Sequence, residues 1–190
     1  INKTKPVSAE LRDRVYEVIE KNHFKPNSLA QGLITKKTNT IGIIVPDISN
    51  AVFGKLTKGI NSVFAKEGYT VVLCESQGEI EKELKLLGIL EEKQIEGLLF
   101  AGVDVNHTLV ESMRKRNYPV VLVTQEASED EEAVHTVIHN NVEAMYDAVK
   151  FLLDNGHERI AYLGGPKNDF SSGKKRVIGY KKALEEAGIG

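Results

Sequence analysis

A doubly wound parallel α/β sheet is the fold class this sequence predicts, and three observations predict it. Five short, largely apolar runs, at 41–45, 70–74, 97–100, 120–123 and 134–138, have the length and apolar character of buried parallel strands. Helical stretches separate the first four of them. Strand and helix therefore alternate, and right-handed crossovers then lay helices on both sides of one parallel sheet.

Ahead of that body lies a short basic head. Ser8 reads as the N-cap of a helix whose apolar stripe is Leu11, Val15, Val18 and Ile19, ending near Asn22. Pro26 suits a first helical position and Asn27 or Ser28 can cap, so a second helix over about 27–33 is readable. Isolated helices below about 12–15 residues are marginal in water, and Gly32 costs up to about 1 kcal/mol against Ala. Such a segment needs a partner to order it, and on composition alone it reads equally as a solvated linker with one turn.

The body begins at Ile41. A helix over 51–67 turns Leu56, Ile60, Val63 and Phe64 inward, one over 80–94 does the same with Leu84, Leu87 and Leu90, and a third covers 108–117. After Asn140 a helix runs to about Asp154 and stops at Asn155-Gly156. A strand at 160–163 and a helix at about 174–187 then read as the opening of a second α/β lobe, with the chain ending before that lobe closes. The organisation expected is thus a head (1–25), a linking segment (26–39), a first lobe (40–139) and an incomplete second lobe (140–190).

Charge divides along the same line. Through Lys37 there are eight basic residues against four acidic ones, a surplus of +4, so the rest of the chain must carry −6 to reach the net −2. A basic head on an acidic body points to a polyanion at one end, though a solvated helix face has the same composition. Cys74 is the single cysteine, which excludes an intrachain disulfide and fits a buried strand thiol in a reducing compartment. No signal peptide or membrane-length apolar run is present, which favours the cytoplasm. Ile1 in first position predicts that the natural start lies upstream.

The hinge-like run Pro26-Asn27-Ser28-Leu29-Ala30-Gln31-Gly32-Leu33, then Lys36-Lys37-Thr38, then Ile41-Gly42-Ile43-Ile44-Val45-Pro46-Asp47-Ile48-Ser49-Asn50, resembles the hinge and first core strand of the lactose-repressor (LacI/GalR) family. Arg176-Val177-Ile178-Gly179-Tyr180 matches a second pattern of that family, so the resemblance extends from Ile1 to Gly190. It implies a periplasmic-binding-protein-like core preceded by a partial helix-turn-helix head. It also implies a homodimeric transcriptional regulator of bacterial type, in most cases a repressor, that binds operator DNA and is switched by a small molecule of sugar type. Asn2 would belong to the tail of the recognition helix, whose base-reading remainder is absent. With Ser8, Asn27, Ala30 and Leu33 it makes up the expected DNA-binding set, Leu33 as a wedge that unstacks a minor-groove step.

Ligands of doubly wound sheets sit beyond the carboxyl ends of the strands, which places 47–53, His139-Asn140 and 166–176 around one cleft. The resemblance assigns Phe53 to stack on an effector ring and Arg176 to hold its polar groups, with Ser171 or Ser172 adding hydroxyl contacts. A planar guanidinium suits a sugar or carboxylate, although Phe53 also fits simple helix-start packing and Arg176 an ordinary salt bridge. His139 stands where related repressors carry an aspartate, which removes a fixed negative acceptor and opens the choice of ligand.

The remaining chemistry is negative. His23, His107 and His135 have no metal-ligand spacing with Cys74 or with one another. His157, in Asn155-Gly156-His157-Glu158-Arg159, reads as structural. Gly164-Gly165-Pro166 lacks the glycine spacing of a nucleotide loop, and there is no Gly-x-Ser-x-Gly elbow. No cofactor, metal or catalytic residue is therefore expected. The main rival is a solute-binding protein of the periplasmic sugar-binding type, against which the basic head and hinge pattern speak.

Overall fold

The apolar runs assemble as one parallel sheet. In the computed structural model, which describes residues 7–24, 37–127, 134–165 and 169–189, strands β1 (Thr40–Val45), β2 (Thr70–Glu75), β3 (Gly97–Phe100), β4 (Val120–Val123) and β5 (His135–Val137) lie in the order β2-β1-β3-β4-β5. Register places Ile41 opposite both Val71 and Gly97, and Phe100 opposite both Ile44 and Leu122. Because the first strand sits inside the sheet, the chain steps outward to β2 and then returns across β1 to β3. That reversal of direction puts helices on opposite faces.

On one face lies α2 (Ala51–Phe64), against Ile43 and Val45; on the other lie α3 (Ile80–Glu92) and α4 (His107–Arg114), against Ile44, Leu98 and Phe100. Gly42 explains how α3 can come so close. A Cβ there would meet Ile95 Cδ1 and Leu90 Cδ1 at 3.0 Å and Leu98 Cδ1 at 3.2 Å. Asn50 caps α2 by accepting from Val52 N–H at 3.0 Å, and Asn106 caps α4 by accepting from Leu109 N–H at 3.2 Å. Beyond β5, α5 (Asn141–Asp154), a π-helical turn (Phe170–Lys174) and α6 (Lys175–Glu186) complete the described chain. α5 and α6 pack tightly enough that a Cβ at Gly179 would lie 2.1 Å from Val142 O.

Several expectations are corrected. β2 and β5 are not buried: only Val71 and Cys74 of β2 are half-buried, and all three residues of β5 are exposed. Both are edge strands, with a neighbour on one side only. Cys74 is accordingly half-buried, and that burial pushes its thiol up. Val63 is 61 % exposed rather than inward. Regular α2 ends at Phe64 instead of 67, α3 at Glu92 instead of 94, and α4 at Arg114 instead of 117. The first two are closed by left-handed residues: Gly68 (φ +79°) lets Tyr69 N–H return to Phe64 O at 2.9 Å, and Gln94 (φ +55°) lets Ile95 N–H return to Leu90 O at 3.3 Å. Residues 160–163 form no strand, because no described strand lies beside them to pair with, and Leu163 is 98 % exposed.

The chain divides into two compact units, Ile1–Thr38 and Asn39–Gly190. The first contains α1 (Ala9–Lys21), which Ser8 caps as expected by accepting from Leu11 N–H at 3.3 Å, with Asn22 at its end. Leu11 and Val18 of its apolar stripe are more than half exposed. The readable helix at 27–33, and with it Asn2, Asn27, Ala30 and Leu33, lies outside the described residues.

Candidate ligand cleft

The carboxyl ends of β1, β3 and β4 open on a cleft of roughly 340 Å³, within the range of small-molecule sites. Its β1 wall is Pro46, Asp47, Asn50 and Phe53, and its β3 and β4 walls are Gly102, Val103, Thr124 and Gln125. Across from them stand His139, Asp169, Ser172 and Arg176. The stretches expected to converge therefore do so, and Phe53, His139, Ser172 and Arg176 all line the same space.

Each of these groups is held by local chemistry. Asp47 accepts from both the N–H and the hydroxyl of Ser49 at 2.7 Å. The hydroxyl first, then the N–H, keep the Asp47 carboxyl below its ordinary range. Phe53 is half-buried against Ile43, Val45 and Ala101 behind the cleft, so helix-start packing and a cleft-facing ring coexist. Asp169 caps the π-helical turn, taking the Ser172 N–H at 2.8 Å and pairing with its hydroxyl through the other carboxylate oxygen. Arg176 is no ordinary ion pair: its Nε donates to Asn141 Oδ1 at 2.9 Å. One of the five guanidinium donors is thereby tethered, which orients the planar fork.

Ser171 is a correction. It is fully buried, and its Oγ accepts the Glu126 N–H at 2.7 Å, away from the cleft lining. The Glu126 carboxylate pairs with Lys175, so Ser171 and Lys175 together hold the segment after β4 to the π-helical turn and the start of α6. Of two adjacent serines only Ser172 faces the cleft. Asn50, Thr124, Gln125, Asp169 and Asn141 were not singled out by sequence. Asn50 and Asp169 fall inside the 47–53 and 166–176 stretches that the strand-end rule places at the cleft, and the same rule, applied to the end of β4, could have found Thr124 and Gln125. Asn141, 2 % exposed with its Nδ2 unpartnered among the described residues, had no such signal. Among the described residues no group of three or more His, Cys, Asp and Glu side chains could hold a metal ion.

A parallel α/β lobe whose cleft lies beyond the strand ends, walled on its far side by the start of a second helical layer, is the plan of a periplasmic-binding-protein-like domain. Residues 38–189 match the family described as periplasmic binding proteins and sugar binding domain of LacI family, and the chain belongs to it. The resemblance read from the 41–50 and 176–180 motifs is thus borne out. The chain is 36% identical over 189 residues to catabolite control protein A of Priestia megaterium, covering 100% of this chain and 56% of that protein. It is 31% identical over 189 residues to the HTH-type transcriptional regulator RegA of Clostridium saccharobutylicum, again 100% of this chain and 56% of that one. The chain thus spans about half the length of the curated relatives it matches. A crystal structure of the lac repressor dimer, bound to operator and the anti-inducer ONPF, superposes with a TM-score of 0.87 over 100% of this chain and 57% of that one. At 22% identity that likeness is one of fold.

Proposed function

We propose that this chain is part of a sequence-specific transcriptional regulator, most simply a repressor, whose affinity for operator DNA is set by a small molecule in the cleft. The observation that carries this reading is the tethered Arg176 facing Phe53 across a polar cleft, in a family described by its sugar binding and with relatives named as transcriptional regulators. An aromatic ring, a planar donor fork, a histidine and amide groups suit a polyhydroxylated ligand, a sugar or sugar-like metabolite. DNA contact is assigned to the basic head and the 26–39 segment, with Leu33 as the minor-groove wedge. The reading is of a binding protein rather than an enzyme, which relatives named as transcriptional regulators support. The cytoplasm is the compartment in which operator DNA is met, and no described helix is long and apolar enough to cross a membrane.

The regulator acts as a homodimer in this reading. Val63 of α2 and Leu73 of the edge strand β2, which shares the sheet face of Ile43, leave exposed apolar surface on one side of the lobe, the kind of surface a partner covers. Sedimentation of a Leu73→Asp variant should show weaker self-association than the parent. A parent that stays monomeric at high concentration would remove the dimer from this account.

Calorimetric titration with a panel of aldoses, ketoses and their phosphates tests the central claim. Losing hydrogen bonds to a charged group costs about 1.5–3 kcal/mol, so Arg176→Ala should weaken any ligand found by about ten- to a hundredfold. A ligand bound equally well by the variant excludes Arg176 from the site. Binding of duplex DNA, followed by anisotropy across a salt series, separates a regulator from a solute-binding protein, which would bind none.

A further inference from the structure

A buried carboxyl group sits directly against the cleft wall. Glu83 of α3 is 1 % exposed, and its Oε1 accepts from the Ser76 hydroxyl at 3.1 Å. A second acceptor stands within reach of that hydroxyl, the Val45 carbonyl at 3.4 Å, which already takes the Ser76 N–H at 2.9 Å. Ser76 Oγ in turn accepts from Gly78 N–H at 3.1 Å. A hydroxyl has one proton to give and two lone pairs with which to accept, so Ser76 serves only one of the two acceptors at a time. The cluster touches the wall at two places. A Cβ at the buried Gly102 would lie 3.4 Å from Glu83 Oε1, and one at Gly78 would lie 3.3 Å from Val103 Cγ2 and 4.0 Å from Pro46 Cβ. Pro46, Asp47, Gly102 and Val103 all line the cleft, and Val45 directly precedes the first two.

The charges on the elements around Glu83 give it no cation. On the loop after β3, Asp104 bears on it with like charge. Glu75 of β2 turns instead to the Ile48 N–H at 3.3 Å, and on α3 itself Glu79 pairs with Lys82 at the surface. α4 buries Leu109, Val110 and Met113 in the cluster that holds Leu87, while its Glu111 and Arg114 pair with each other outside. Burial therefore pushes the Glu83 carboxyl up, with the Ser76 hydrogen bond opposing and Asp104 adding to the rise. The group holds its proton where an ordinary glutamate has lost it.

We propose that Glu83 is a positioning residue for the cleft wall and that its proton is a switch. With the proton on Oε1, Glu83 donates to Ser76 Oγ and the Ser76 hydroxyl turns to Val45 O, tying the end of β2 to the end of β1 just before Pro46 and Asp47. With the proton released to solvent, the Ser76 hydroxyl returns to Glu83 and leaves Val45. The new charge then repels Asp104, and with it the loop that carries Gly102 and Val103. Affinity in the cleft is thereby linked to pH. This rests on the reading of the cleft as a ligand site for its purpose, but the switch itself is detected with no ligand present.

The test is a pH titration of this 190-residue chain, read from the Glu83 carboxyl ¹³C resonance and the backbone amides. The Glu83 carboxyl should titrate above the ordinary glutamate value of about 4.3. The Asp47, Gly78, Gly102 and Val103 amides should share its midpoint, with the Val121 amide unmoved. Glu83→Gln should abolish the shared step. Asp104→Asn should lower the midpoint, and Ser76→Ala should raise it and remove the Asp47 response. Histidines titrate in the same span of pH, so His139→Gln is the control and should leave the step in place. A Glu83 midpoint at the ordinary value, or wall amides that do not follow it, overturns the proposal from the parent chain alone, whether or not any variant folds. A step that vanishes in His139→Gln or in Asp104→Asn overturns it too. Failure of the switch leaves the sugar titrations standing, and a cleft that takes no sugar leaves the shared midpoint standing, so the two readings fail separately.

Discussion

The two faces of the sheet are built very differently. On the α3 and α4 side, Leu87, Leu90, Leu109, Val110 and Phe100 are essentially inaccessible and form one continuous cluster with Ile44 and Leu122. Among the described residues on the α2 side, Ile41, Ile43, Val45 and Ala101 are buried; Phe53, Leu56 and Ile60 of the helix are half-buried, and Val52 and Val63 are exposed. Apolar area removed from water, the main source of stability, is therefore concentrated on one face. The lightly seated helix is also the one that walls the cleft. A helix with few buried contacts opens locally at lower cost than one seated in a dense core. The two faces thus differ in how firmly their helices are held.

The sharpest way to break this comparison is to truncate both faces. Leu87→Ala opens a cavity in the dense cluster and should cost about 3–4 kcal/mol in chemical denaturation of the 39–190 unit. Ile60→Ala, on the half-buried helix, should cost about 1–2 kcal/mol. Equal losses at the two positions would show that α2 is as firmly seated as α3. A smaller effect separates the two units. Ser8→Ala removes the α1 cap at a cost of about 1 kcal/mol, visible as lost helical signal from the head, while the unfolding midpoint of the 39–190 unit stays in place.

The last prediction sharpens the dense face and shows in a pH slope rather than at any single pH. Glu83 of α3 is buried within it, accepting from the Ser76 hydroxyl at 3.1 Å. Burial pushes its carboxyl up and Asp104 adds to this, while the Ser76 hydrogen bond opposes. A carboxyl raised in the folded state keeps its proton where the unfolded chain has lost it. Its contribution is therefore fully present below the unfolded value and is lost as pH rises through the raised folded one. Glu83→Gln keeps the acceptor for Ser76 and removes the titration. Thermal unfolding should show the variant gaining on the parent as pH is raised from about 4 towards 8, the span above the ordinary glutamate value. A constant difference across that range would mean that Glu83 is not raised.

Much of this was legible because it is local. Ser8 caps α1 with its own side chain, which needs only a few neighbouring residues. Leu84, Leu87 and Leu90 share a helical face whatever that face meets. Strand-end geometry likewise brought together the stretches that hold Phe53, His139, Ser172 and Arg176, the residues that the resemblance had picked out within them. Where reading failed, the missing quantity was an arrangement in space. Val71-Val72-Leu73 is as apolar as Ile43-Ile44-Val45, yet one run is an edge strand and the other lies inside the sheet. Only the path of the crossovers distinguishes them.

Read along the chain alone, the residues specify the alternation of strand and helix, the Ser8 cap, the charge asymmetry between head and body, and the motifs that carry the family. These follow from residue type and spacing over a turn or two of chain. Tertiary structure decided which strands are edges, which of Ser171 and Ser172 reaches the cleft, that Arg176 is tethered by Asn141, and that Glu96 holds Asn39. Those contacts join residues 35 to 57 positions apart. No local preference encodes a hydrogen bond across such a separation, because it exists only once the sheet has brought its two ends together.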